Sequence, residues 1–156
     1  MTKEIRITTT DLPDTWKLGK LIGQKLKGDE TIALCGELGS GKTSFTQGLA
    51  QGLGITKAVT SPTFVLERIY RSPKTKHELH HFDLYRIGTD IRETGLADSL
   101  GEVITVIEWA EHIKNALPDD TIWVEIQLLT AATREFIFTI PASRQYVVSQ
   151  IKQKRR

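Results

Sequence analysis

The run Gly36-Glu-Leu-Gly-Ser-Gly-Lys-Thr43 carries the plainest chemistry in the chain. Its glycines let the backbone curl until successive N–H groups face one concavity, and a helix beginning at its end adds a positive dipole terminus; together these hold phosphate oxygens. The pattern fits G-x-x-x-x-G-K-[ST], in which the lysine bridges the β- and γ-phosphates and the hydroxyl ligates Mg²⁺. Lys42 and Thr43 occupy those two places. On this reading Lys42 is catalytic as well as phosphate-binding, because charge on the terminal phosphate changes as its bond breaks.

Such a site also needs a carboxylate at the end of a buried strand. Two acids meet that description. In His81-Phe-Asp-Leu-Tyr-Arg86, strand alternation puts His81, Asp83 and Tyr85 on one face and Phe82 and Leu84 on the other, so Asp83 can reach a metal directly or through water. Glu108 follows the apolar run 103–107, where an acid is costly unless it meets a metal, water or a base. It is expected to orient the attacking water or to join the metal shell. Between loop and acids, Pro62 in Thr60-Ser-Pro-Thr-Phe64 restrains a backbone flanked by hydroxyls; on its residues alone this reads first as an ordinary proline turn entering a strand, and second as a segment that could order around a γ-phosphate and relax after hydrolysis. A transition-metal site built on His77, His80, His81 and Asp83 is disfavoured, because adjacent His80 and His81 would face opposite ways and no second cluster completes a tetrahedron.

The elements that must position these groups follow from hydrophobic periodicity. Thr31-Ile-Ala-Leu-Cys35 is a continuous apolar run, expected for a central strand buried on both faces. Ile5 and Ile7 alternate with polar neighbours as a first strand, and Leu12 to Leu26 recur at helical spacing behind a cap at Thr10 or Asp11. A helix from Lys42, with Phe45, Leu49 and Leu53 on one face, ends near Gly52 or Gly54. Strands over 64–70 and 78–84 form an antiparallel hairpin with the basic stretch 68–76 at its tip. A short helix over 91–96, a strand over 103–107, a helix from Trp109 that Pro118 stops, strands over 122–128 and 134–140, and a last helix over 143–152 complete the pattern. The expected fold is a three-layer α/β P-loop NTPase-like domain, its central sheet mostly parallel with an added antiparallel hairpin.

A chain of 156 residues suits one domain spanning 1–156 and buries enough apolar surface without disulfide or structural metal. With 39% apolar and 26% charged residues it reads as globular, and no apolar run approaches the roughly 18 to 20 residues of a membrane span. The cytoplasm is the expected location. Cys35, the single cysteine, is expected to be a reduced core residue. The net charge of +2 conceals a basic tail: residues 141–156 carry Arg144, Lys152, Lys154, Arg155 and Arg156 and no acid. That tail reads either as a contact for nucleic acid or as a solvated helix end.

The ordered motifs, Gly36 to Thr43, Val59-Thr-Ser-Pro-Thr-Phe64, His81-Phe-Asp-Leu-Tyr-Arg86, Gly95-Leu96 and Ile107-Glu-Trp109, resemble those of the TsaE family, bacterial ATPases that support tRNA threonylcarbamoyladenosine synthesis. They span positions 36 to 109. The resemblance implies slow Mg²⁺-dependent ATP hydrolysis while docked on the TsaB and TsaD proteins, which modify the adenosine beside the anticodon. Contact with tRNA would be indirect. It implies a nucleotide site made of Glu37, Leu38, Gly39, Ser40, Gly41, Lys42, Thr43 and Ser44, with Thr60, Ser61 and Thr63 as the switch and Trp109 and Arg134 near the nucleotide. It also implies a metal set of Thr43, Asp83 and Glu108. The stretch Ala97-Asp-Ser-Leu-Gly101 departs from the more acidic and aromatic pattern associated with the family.

A free-standing small-molecule kinase would share the loop but needs a substrate pocket and a mobile basic lid. The guanine-reading Asn-Lys-x-Asp motif of GTPases is missing, since Asn115 is the only asparagine and Ala116 follows it. A non-catalytic tRNA-binding module would rest on the basic tail alone.

Overall fold

The computed structural model describes residues 1–62, 66–85 and 94–151. Strands β1 (Lys3–Thr9), β2 (Thr31–Gly36), β3 (Glu67–Arg71), β4 (Glu78–Asp83), β5 (Ile104–Glu108), β6 (Ile122–Leu128) and β7 (Arg134–Ile140) form one sheet in the order β1-β7-β6-β2-β5-β4-β3. The four middle strands, β6, β2, β5 and β4, run parallel. Antiparallel pairs flank them on both sides, β3 on β4 and β7 with β1 beyond β6. The expected mixed α/β sheet is therefore observed, with β2 at its centre.

Helices α1 (Leu12–Gly23) and α2 (Lys42–Gly52) cover one face. There Phe45, Leu49, Ile22 and Leu18 pack on Ile32, Leu34, Val124, Phe136 and Phe138. The other face is thinner. Phe82, Leu84, Ile107 and Ala33 pack against Leu96 of the one-turn α3 (Leu96–Ser99) and against Ala110 and Ile113 of a 3-10 segment, Ala110–Ala116. The alternation read from the sequence holds, since Phe82 and Leu84 enter this cluster while His81 and Asp83 face elsewhere.

Several expected elements differ. The short helix begins at Leu96 rather than ending there, and residues 86–93 lie outside the described residues. The segment after β5 is 3-10 and kinked at Ile113, whose φ of −130° is not helical, with Trp109 in a left-handed conformation at its start. The final helix is likewise 3-10 turns over Ala142–Val148. Arg144 is not part of a solvated basic tail. Its guanidinium donates to Asp29 (2.9 Å), Asp120 (2.8 Å) and the Tyr146 hydroxyl, tying the C-terminal segment to the start of β2 and β6. Burial opposes its charge, but these acceptors outweigh it and raise its pKa. The remaining tail cations, at 152–156, are outside the described residues. Cys35 is half-buried at the margin of the smaller cluster instead of fully inside, and burial, with a hydrogen bond to Glu111, pushes its thiol pKa up. No described helix is long and apolar enough to cross a membrane.

Helix α1 starts with a reciprocal cap. Asp11 accepts from the Asp14 N–H at 2.8 Å, and Asp14 accepts from the Thr10 N–H at 3.0 Å. It then meets α2 through Gly19 and Gly23 on one helix and Gly48 and Gly52 on the other. A Cβ on Gly48 would lie 2.4 Å from the Trp16 carbonyl oxygen, and one on Gly19 would lie 2.5 Å from that of Phe45. Main chain touches main chain here. Alanine in a helix gains about 1 kcal/mol over glycine by propensity. A collision with backbone, which cannot rotate aside, costs about 1–3 kcal/mol or more. Gly48→Ala is therefore expected to destabilise the protein by about 1–2 kcal/mol in urea unfolding, the overpacking exceeding the propensity gain.

Candidate functional site

The loop between β2 and α2 closes through backbone conformations that only glycine holds easily. Gly41, which caps α2, has φ 111°. The first turn of α2 carries no acid, so its free N–H groups and dipole end meet no anionic side chain of their own helix. Lys42 is buried, and its ammonium donates to the carbonyls of Gly36 (2.6 Å) and Glu37 (3.0 Å). Burial lowers its pKa, while Glu108, Glu111 and Asp83 pull the other way. The same ammonium stands 3.9 Å from the centroid of the Trp109 ring. The Ser40 hydroxyl is buried in the loop and has no hydrogen-bond partner among the described residues. Glu37 supplies a carbonyl to Lys42, whereas the Leu38 side chain projects into solvent, 77% exposed.

Register brings the acids together. In the parallel pairing of β4 with β5, Asp83 lies opposite Glu108, and Glu108 in turn lies opposite Leu34 of β2, next to the loop. Glu108 is 3% exposed, yet three contacts satisfy it. The Thr43 hydroxyl lies 3.1 Å from its Oε1 and 3.3 Å from its Oε2, and Nε2 of His81 is 2.6 Å from Oε2. Asp83 accepts from the Tyr85 N–H at 2.9 Å and from the Ser61 hydroxyl at 3.3 Å. A hollow of about 330 Å³ joins these groups, lined by Leu38 at its rim and by Gly39, Gly41, Lys42, Thr43, Ser44, Ser61, Asp83, Tyr85, Glu108 and Trp109.

At the wall of this hollow, Trp109 has φ 62°, an uncommon state for a bulky residue. The turn lets β5 end on Glu108 while the indole packs against Tyr85 at a tilt of 45°, with ring centroids 5.0 Å apart. A second hollow of about 260 Å³ lies across the loop, lined by Asp11, Leu12, Thr15, Gly39, Gly41, Ser44, Ala131, Ala132 and Arg134. Arg134 donates to the Ala131 carbonyl, and its Nε would lie 3.6 Å from a Cβ placed on Gly41. Arg134 thus approaches the loop on the side opposite the acids.

Of the three switch hydroxyls, Ser61 reaches the acid site. Thr60 does not line that hollow, and its N–H donates to the Tyr70 hydroxyl. Thr63 lies outside the described residues. The histidines diverge as alternation requires: His80 meets Ser99, Glu78 and Glu67, and His81 meets Glu108. Sequence reasoning missed Tyr85, Asp11 and Thr15 as lining residues of the two hollows, and His81 as the partner of Glu108. The signal for His81 was present, because a buried Glu108 calls for a base and alternation had placed His81 on the face of Asp83.

Comparison with known proteins joins this geometry to a family. The family model "Threonylcarbamoyl adenosine biosynthesis protein TsaE" matches residues 9–136. The tRNA threonylcarbamoyladenosine biosynthesis protein TsaE of Treponema pallidum is 35% identical over 134 residues, covering 84% of this chain and 97% of that protein. Its counterpart in Bacillus subtilis is 34% identical over 143 residues, covering 91% and 89%. That of Aquifex aeolicus is 42% identical over 124 residues, covering 78% and 86%. The crystal structure of Bacillus subtilis YdiB superposes with a TM-score of 0.77 at 32% identity, over 92% of this chain and 90% of that one. With the phosphate-type loop, paired acids and Trp109 all inside the matched span, the chain belongs to the TsaE family.

Proposed function

We propose that this protein binds ATP with Mg²⁺, hydrolyses it slowly, and acts as a switching component of the assembly that installs threonylcarbamoyl on the adenosine beside the tRNA anticodon, docked on the TsaB and TsaD proteins. The observation that carries the nucleotide part is the hydrogen bond from Thr43 to Glu108 at the mouth of a loop built for phosphate. Its hydrogen is committed to the carboxylate, so the lone pairs of Thr43 Oγ1 are left for a cation. The set around the hollow, one hydroxyl and the carboxylates of Asp83 and Glu108, is all hard oxygen, the donor type Mg²⁺ takes alongside phosphates and water. The buried Ser40 hydroxyl and the acid-free start of α2 fit a phosphate in the loop.

Thr43, Asp83 and Glu108 would hold Mg²⁺, which would supply positive charge to offset the negative charge that builds on the terminal phosphate during its transfer. Lys42 exchanges its two carbonyl partners for phosphate oxygens. Glu108 orients the attacking water, Asp83 supports the metal directly or through water, and Trp109 with Tyr85 walls the site from bulk solvent. The nucleoside takes the hollow across the loop, where Arg134, Asp11 and Thr15 offer polar groups. Ser61, bonded to Asp83, couples the 60–62 segment to occupancy of the acid site.

A stand-alone kinase is less well supported. The turn between β3 and β4 precedes β4, at the end of that strand away from Asp83. There a Cβ on Gly54, beyond the C-terminus of α2, would lie 3.5 Å from the Lys74 side chain. A basic lid at that position cannot close over the phosphate loop.

The test is reconstitution. Purified chain, TsaB, TsaD, tRNA, an activated threonylcarbamoyl donor and ATP with Mg²⁺ are expected to yield threonylcarbamoylated tRNA over many turnovers, and omission of the chain should stop accumulation. Unchanged modification without it would overturn the assembly role. Absence of a Mg·ATP-dependent rise in thermal midpoint would overturn the nucleotide role.

A further inference from the structure

His81 is fully buried, and its Nε2 lies 2.6 Å from Glu108 Oε2. Its Nδ1 has no partner among the described residues. A hydrogen on Nδ1 would be an unpaired donor in a dry site, and a bare Nε2 would set a lone pair against a carboxylate oxygen. Hydrogen on Nε2, facing the Glu108 carboxylate, avoids both penalties. That ring donates to Oε2 of Glu108, while the Thr43 hydroxyl straddles both oxygens, nearer Oε1 (3.1 Å) than Oε2 (3.3 Å). A glutamate at a strand end has three side-chain torsions to fix, and two donors from two different elements fix them before any ligand arrives.

We propose that His81 is a positioning residue for Glu108: it holds the carboxylate edge-on to the hollow, so that the acid meets metal or water in one orientation. The proposal rests on the reading of Glu108 as the hydrolytic acid and deepens it. It follows the rule that residues behind a metal-site or catalytic carboxylate set its orientation, with losses of about 10- to 100-fold when they are removed. His81 touches no substrate in this role, and its effect passes through Glu108.

Two substitutions separate positioning from packing. In His81→Gln the amide nitrogen can reach the place of Nε2; in His81→Asn it reaches only the place of Nδ1, away from Glu108. ATP turnover and Mg·ADP affinity are measured for both. His81→Asn is expected to lower kcat about 10- to 100-fold with ADP affinity within about threefold, and His81→Gln to restore kcat to within about threefold of wild type. A readout independent of turnover is the imidazole nitrogen spectrum of the nucleotide-free protein, expected to show hydrogen on Nε2 in the wild type. Wild-type kcat in His81→Asn, equal losses in both variants, or hydrogen on Nδ1 would each overturn the proposal. If the wild type hydrolysed no ATP, the functional reading would fall, and the tautomer would still decide whether His81 holds Glu108.

Discussion

Lys42→Ala is expected to weaken ATP binding by about 100-fold or more and to abolish nucleotide-dependent tRNA modification, with the thermal midpoint of the nucleotide-free protein unchanged or raised. Two effects of different sign support that pairing. A charge-assisted bond from an ammonium to phosphate inside a partly dry loop contributes about 1.5–3 kcal/mol per contact, and Lys42 would make two such contacts. In the absence of phosphate the same ammonium is desolvated, as the downward pull on its pKa records, and satisfied only by two neutral carbonyls. Removing it therefore relieves a cost in the free protein and forfeits a gain in the bound one. Isothermal titration with Mg·ATP beside a thermal melt checks both halves. A variant that melts far below wild type would show that Lys42 is structural, and unchanged ATP affinity would remove it from the phosphate site.

Glu108→Ala is expected to lower turnover about 10²- to 10⁴-fold while ATP affinity changes by less than about tenfold. The acid stands beyond the loop, held by Thr43 and His81, so binding through Lys42 and the backbone N–H groups survives its loss. The truncation also strands two donors in a buried place, which costs about 1–3 kcal/mol of stability for each. Glu108→Gln is the cleaner companion, since it keeps volume and one acceptor but not the charge. Single-turnover measurements at saturating ATP separate the two readings. Turnover retained in a folded Glu108→Ala protein would sink the hydrolytic role.

The parts of the fold most legible in the sequence were those fixed by a single strong period. β6 and β7 run over Ile122–Leu128 and Arg134–Ile140, the ranges expected for them, and α2 starts at Lys42 because the glycine loop ends there. Elements shorter than two helical turns were not legible. After β5, Trp109 turns left-handed to bring its ring over Lys42, and a 3-10 segment follows where an α-helix was expected. That departure is set by the site and not by local propensity. The candidate site was legible as far as residue type and strand position carry it: Lys42, Thr43, Asp83, Glu108 and Ser61 meet around one hollow. Its partition into two hollows was not, because the second depends on where Asp11 and Thr15 of α1 fall relative to the loop, which no spacing in the chain encodes.

The glycine seam between α1 and α2 has a mechanical consequence. With backbone pressed on backbone at Gly19, Gly23, Gly48 and Gly52, there is no side chain to act as a compliant spacer, so the two helices travel as one lever. Asp11 and Thr15 near the tip of α1 are thereby geared to the phosphate loop at the tip of α2. Any widening of the hollow lined by Asp11 and Thr15 must then come from its opposite bank, the Ala131–Ala132 turn and Arg134.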